Sequence, residues 1–357
     1  MRHLHRPAAV LAAGALIATT IAGAAQAAPA DRSGQWLDRQ LTDGLVHNDQ
    51  YDFDDYGLTA DTAIALDAIG GHRPAVKQVR KALAGNVDAW TTFGDDVYAG
   101  SVAKALVLAE TTGADPRSFG GVDLVKRLAA RVSSSKPTVG RIQDKAQTDY
   151  ANTIGQALAA RGLAKAGSGK ADEAVRFLLE QQCSAGYFRL NFAGLAKKDQ
   201  SCDAGKRATT SAPDTDVTAL AVLNLRATPH KTKAVRSAIK DAVAWLKRHQ
   251  KDNGSFGGGP ATEASNANST GLAGWALAEA GACKPAARAA RWVKGLQVSG
   301  DVSGTPLAGE KGAIAYDRAA FKAAKSDGIG DAQRDQWRRA TSQAAPALAY
   351  LQVENCR

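Results

Sequence analysis

The sequence predicts an all-α protein, a double-walled ring or short solenoid assembled from six helical hairpins. Three observations predict it. A glutamine-glycine turn ending in an apolar or aromatic residue recurs along the chain, an amphipathic helix precedes each turn, and a helix rich in alanine and poor in charge follows it.

The turn is written Gln40-x3-Gly44-Leu45-Val46, Gln182-x3-Gly186-Tyr187-Phe188 and Gln250-x3-Gly254-Ser255-Phe256. Ahead of each lies a large apolar pair, Trp36-Leu37, Phe177-Leu178 or Trp245-Leu246, and Trp292-Val293 before Gln297 is a degenerate fourth copy. Glycine ends the helix because it tolerates the left-handed conformation that such a stop requires. The preceding stretches 76–83, 122–132, 173–182 and 239–250 alternate apolar and charged residues at helical spacing. That pattern suits a half-solvated outer layer.

Downstream of each turn a polar residue able to cap a helix opens a stretch that is apolar on most of its circumference. These stretches are 60–66, 101–106, 153–158, 216–221, 269–275 and 342–351. Helices with so few charges bury themselves among other helices and form the inner layer.

Residues 1–27 read as a secretory signal, with Arg2 and Arg6 ahead of an apolar run and Ala25-Gln26-Ala27 as the cleavage pattern. The expectation is a secreted protein whose single domain occupies 28–357. No later stretch approaches the ~20 apolar residues of a membrane span. The formal charge is +10, and removing Arg2 and Arg6 leaves +8. Its basic groups, such as Lys77, Arg80, Lys81, Lys197 and Lys198, have no stacking aromatics between them, which reads as a solvated surface and excludes nucleic acid as partner. The four cysteines form no Cys-x-x-Cys pair, so two disulfides are expected, with all three pairings open.

Glutamine-glycine-aromatic turns followed by capped Ala-Leu helices resemble the prenyltransferase and squalene-cyclase repeat, in a secreted bacterial form. The resemblance covers nearly all of 33–351. It implies an α/α toroid with six roughly parallel inner helices enclosed by six outer ones. In such a ring Asp61, Ser101, Thr153, Asp216 and Ser269 gather at one rim as helix starts, with Tyr56, Tyr98, Tyr150, Asn268, Trp275 and Tyr316 lining the mouth. The toroid also implies the pairs Cys283-Cys356, at the opposite rim, and Cys183-Cys202, bracketing the longest insertion.

Relatives with this fold suggest where chemistry could sit. Class II terpene cyclases carry an Asp-x-Asp-Asp motif whose middle acid protonates an alkene. Asp52-Phe53-Asp54-Asp55 fits that string but lies ahead of its helix, whereas Asp214-Thr215-Asp216-Val217 is better placed and lacks the last carboxylate. Asp214 and Asp216 are therefore the candidate catalytic pair. For Asp52, Asp54 and Asp55 a calcium site is an alternative to an acidic loop, although no closing glutamate follows. Protein prenyltransferases hold zinc through Asp, Cys and His, but His47, His72, His230 and His249 have no free cysteine nearby in sequence, so neither metal nor other cofactor is expected.

The sequence thus predicts a toroid that binds a small amphiphilic or apolar ligand, or an envelope component, at the inner-helix N-terminal rim. A cyclase-like or lyase-like enzyme using Asp214 and Asp216 is the alternative, and a structural envelope protein with a filled ring is the third.

Overall fold

The computed structural model describes residues 28–356, so the secretory signal read in 1–27 lies outside the described residues. The helices are α1 (Pro29–Asp38), α2 (Tyr56–Ile69), α3 (Arg73–Gly85), α4 (Val87–Thr91), α5 (Ala99–Thr111), α6 (Leu124–Ala129) and α7 (Thr153–Lys165). They continue with α8 (Ala171–Glu180), α9 (Thr215–Ala227), α10 (Lys233–His249), α11 (Ala267–Glu279), α12 (Cys283–Lys294), α13 (Arg318–Asp327) and α14 (Asp331–Ala344), which runs on as a 3₁₀ segment, Ala345–Tyr350.

Six of these stand side by side as the inner wall: α2, α5, α7, α9, α11 and α14 with its 3₁₀ extension, which packs back on α2 and closes the ring. Outside them lie α3, α6, α8, α10 and α12, and α1 fills the sixth outer place against α2 and the 3₁₀ segment. The fold is the all-α, double-walled toroid that the repeat predicts. The outer stretch expected over 122–132 shrinks to the short α6, because Val132 leaves the helix to bridge Ile142.

Small residues set the spacing of the inner wall. A Cβ on Gly271 of α11 would stand 2.3 Å from the Ala344 Cα of α14, so the two backbones approach as only glycine allows. The outer helices send their aromatic residues inward instead, and Trp36, Phe177 and Trp245 are buried.

One hydrogen-bond device repeats around the ring. Gln182 Nε2 donates to the carbonyls of Gly186 in its own turn and Ala238 on α10, both at 2.9 Å. Gln250 does the same with Gly254 (2.9 Å) and Pro285 of α12 (2.8 Å). The residue two past each turn glycine donates its amide to an inner-helix threonine: Val46 to Thr59, Phe188 to Thr218, Phe256 to Thr270 and Ile314 to Thr341, at 2.8 to 3.0 Å. In the third hairpin the inner-helix Gln156 performs both tasks, accepting from Ile142 and donating to Gly140 and Ala174. Gln40 departs from the device, since its amide turns back to Trp36 and its oxygen accepts from Arg338.

The inner helices begin earlier than the sequence reading placed them. Asp55, Asn152, Asp214 and Asn266 are the N-caps whose side chains accept backbone amides, and Tyr98 precedes α5, where Asp144 from a loop accepts the Ala99 amide at 2.6 Å. Asp61, Ser101, Asp216 and Ser269 therefore lie inside their helices rather than at the starts. In α2, α7, α9 and α11 an Asp or Asn lying upstream of the residue read as the cap already accepts the first-turn amides.

Both disulfides join as the toroid implies, Cys183 to Cys202 and Cys283 to Cys356. No helix among the described residues is long and apolar enough to cross a membrane.

Candidate functional site

In α2, α5, α7, α9 and α11 an equal offset from the cap marks an equal depth in the ring. Six positions past the caps stand Asp61, Lys104, Leu158, Leu220 and Leu272, and they share a cavity of about 330 Å³ with Gln343 of α14. One turn deeper stand Ile64, Val107, Arg161, Leu223 and Trp275, lining the same space. Helical periodicity alone puts these two layers on the inward face. The cavity volume lies at the lower end of ordinary small-molecule sites.

Four residues of the deeper layer, Ile64, Arg161, Leu223 and Trp275, also line a second cavity of about 290 Å³ toward the C-terminal ends of the inner helices. They form a waist between two chambers of different character. The upper chamber has mostly aliphatic walls, whereas the lower one adds Asp67, Thr111, Arg226 and Glu279.

Charge at the upper mouth is balanced in place. Lys104 meets Asp61 at 2.9 Å, and Arg339 meets Asp335 at 2.7 Å and also pairs with Asp55. At the waist, Arg161 Nη2 donates to the Thr111 hydroxyl at 2.8 Å, and its buried Nε has no partner. Burial disfavours the charged guanidinium and lowers its pKa, opposed by Glu110 and Asp67. Beside it, burial pushes the Glu110 carboxyl up to about 7, and both of its oxygens are buried without a hydrogen bond.

Asp214 and Asp216 stand apart from this space. Asp214 is the α9 cap, with Oδ1 accepting the amides of Asp216 (2.9 Å) and Val217 (3.1 Å). Burial holds the Asp216 carboxyl up at about 6, and its Oδ1 has no partner. The glycine loop 257–259 lies on both carboxylates: a Cβ on Gly259 would come within 2.4 Å of Asp214 Oδ2, and one on Gly258 within 3.0 Å of Asp216 Oδ2.

Of the other rim residues, Asp61 and Trp275 line the upper chamber. Tyr56 donates its hydroxyl to Asn86 behind α2, Tyr98 ends a small hairpin, and Tyr150 is 69 % exposed. Thr153 is buried, Ser101 is half-buried, and Asn268 and Ser269 have buried side-chain oxygens without partners. Tyr316 is partly buried near Asp216, and burial raises its pKa. Of the calcium candidates, Asp52 and Asp54 turn to His47, while Asp55 caps α2 and pairs with Arg339. Among the described residues no three His, Cys, Asp or Glu converge as a metal site needs.

The sequence reading missed Lys104, Arg161 and Arg339. The signal was present: Arg161 is the basic residue in the middle of the otherwise small and apolar α7.

No family model matches the chain, and no curated protein matches it in sequence. Solved structures do match. A variant of the type II terpene cyclase MstE from Scytonema, bound to its substrate geranylgeranyl dihydroxybenzoate, aligns over 92 % of this chain and 96 % of its own, with TM-score 0.60 and 16 % identity. An unsaturated glucuronyl hydrolase from Bacillus sp. GL1, responsible for glycosaminoglycan degradation, aligns over 91 % and 96 %, with TM-score 0.60 and 10 % identity. A protein from Actinoplanes aligns over 90 % and 98 %, with TM-score 0.58 and 17 % identity. The ring, its two walls and these alignments together give the chain the α/α-toroid fold that type II terpene cyclases and unsaturated glucuronyl hydrolases share.

Proposed function

We propose that this chain is a secreted toroid that binds a small amphiphilic ligand in the upper chamber of its ring. The observation that carries the reading is the pair of inward layers. Aliphatic side chains from five inner helices face one another across unfilled space, with charged groups at the mouth and the waist. A structural envelope ring would fill its centre with side chains, since interiors pack to crystal-like density. Four cysteines joined as two disulfides support an oxidising, extracellular setting. The terpene cyclase with the same fold holds an amphiphile, a prenylated dihydroxybenzoate.

Native mass spectrometry of the protein purified from culture supernatant tests the reading. A co-purifying small molecule, lost from a variant with Leu220→Trp, is the expected result. A clean apo mass, together with unchanged thermal stability in the presence of medium-chain amphiphiles, would count against it.

A second reading has its own observation. Asp216 lies one helical turn before Leu220, outside the chamber and beneath Gly258, with a carboxyl held up at about 6 by burial. A buried acid whose pKa is raised toward neutrality holds its proton in mildly acidic conditions and is suited to general-acid chemistry there. Incubation with linear isoprenoids, followed by product analysis, tests this reading: a cyclised product that Asp216→Asn abolishes would establish the enzyme.

A further inference from the structure

Three cationic side chains line the upper chamber: Lys104, Arg161 and Arg339. Two of them already face carboxylates, Lys104 on Asp61 and Arg339 on Asp335 and Asp55. Arg161 differs. Among the described residues no carboxylate comes within ion-pair distance of it, its hydrogen bond goes to the neutral Thr111 hydroxyl, and Nη1 makes none. A half-buried cation without a counter-ion in contact carries a desolvation cost in the folded protein.

Its place in the ring gives that cost a use. Arg161 belongs to the waist layer and lines both chambers. On one side are the aliphatic walls, among them Leu158, Leu220 and Leu272; on the other is the polar lower chamber with Thr111. An amphiphile seated with its chain in the upper chamber brings its head group to the guanidinium. The Nη1 and Nη2 edge is a planar fork, which fits the two oxygens of a carboxylate better than a hydroxyl or an amine. The neighbouring Glu110 and Asp67 do not take that place, since neither bonds to Arg161.

We propose that the cavity selects ligands by a terminal carboxylate, which Arg161 binds at the waist while the aliphatic chain fills the upper chamber. This assignment rests on the reading of the cavity as the ligand site.

Calorimetric titration of octanoate and octanol into the mature protein at low salt tests it. Octanoate is expected to bind about tenfold or more tightly than octanol, as a charge-assisted fork implies. Arg161→Met is expected to erase that preference, bringing octanoate affinity down to or below that of octanol measured on the same variant. Equal binding of the two ligands by the wild-type protein overturns the carboxylate assignment without recourse to any variant. So does full octanoate affinity in Arg161→Met; in both cases saturable octanol binding leaves the cavity reading standing. Failure of both ligands to bind the wild-type protein, or undiminished octanoate binding when Leu158→Trp fills the chamber, overturns the cavity reading and this assignment with it.

Discussion

Gln297 donates its side-chain amide to the Pro29 carbonyl at 2.7 Å and to the Ser33 hydroxyl at 2.7 Å, tying the last glutamine turn to the first described helix. The Ser33 hydroxyl in turn donates to Gly312. The final hairpin thus uses α1 as its outer helix. Gln297→Ala leaves buried groups without partners and is expected to lower stability by about 1–3 kcal/mol. Chemical denaturation measures it, and a variant as stable as the parent would show that packing alone closes the ring.

The turn amides bonded to inner-helix threonines give a second expectation. Thr218→Val keeps the shape but strands the Phe188 amide, at a cost of about 1–3 kcal/mol, whereas Thr218→Ser keeps the acceptor and stays within about 1 kcal/mol of the parent. Equal destabilisation in the two variants would assign the loss to packing.

The buried acids set a pH dependence. Glu110 and Asp216 titrate at about 7 and 6 in the folded protein, above their ordinary values of 4.5 and 3.8. Between the ordinary and the raised values the folded state holds more protons than the unfolded one, so stability falls as pH rises through roughly 4 to 7 and levels off above that. Glu110→Gln and Asp216→Asn are each expected to raise stability at pH 8 by about 1–2 kcal/mol relative to the parent, with little difference at pH 4. Parallel melting curves of parent and variants across this range would contradict the assignment.

Reduction of the Cys183–Cys202 bond, which closes a separation of 19 residues, is expected to cost about 3 kcal/mol. The Cys283–Cys356 bond spans 73 residues and fastens the C-terminal segment beside the start of α12, and its loss is expected to cost somewhat more, about 4 kcal/mol. Paired Cys→Ser variants, melted with and without reductant, separate the two.

The hairpin plan was legible because its signals are local and repeated. Gln182, Gln250, Gln297 and the turn glycines have side-chain or backbone tasks that the sequence spacing already implies. Depth inside the ring was harder to read. Thr153 and Ser269 are good caps in isolation, yet Asn152 and Asn266, one and three residues upstream, take the role. That displacement sets the predicted mouth apart from the layers that hold Asp61, Trp275 and Arg161. A third factor was tertiary. Nothing local to Asp214 and Asp216 announces that Gly258 and Gly259, from the next hairpin, lie on top of them.

The shared offsets from the inner-helix caps amount to a cylindrical coordinate system written into a linear chain. Hairpin number gives the angle around the axis, and distance from the cap gives the height. Substituting one residue at a given height, hairpin by hairpin, would therefore redraw a horizontal slice of the bore while leaving the outer wall untouched. In such a frame Arg161 is a single charged point on the waist circle, and moving it to the corresponding place in another hairpin, Leu223 or Ile64, would rotate a bound head group about the axis without changing its depth.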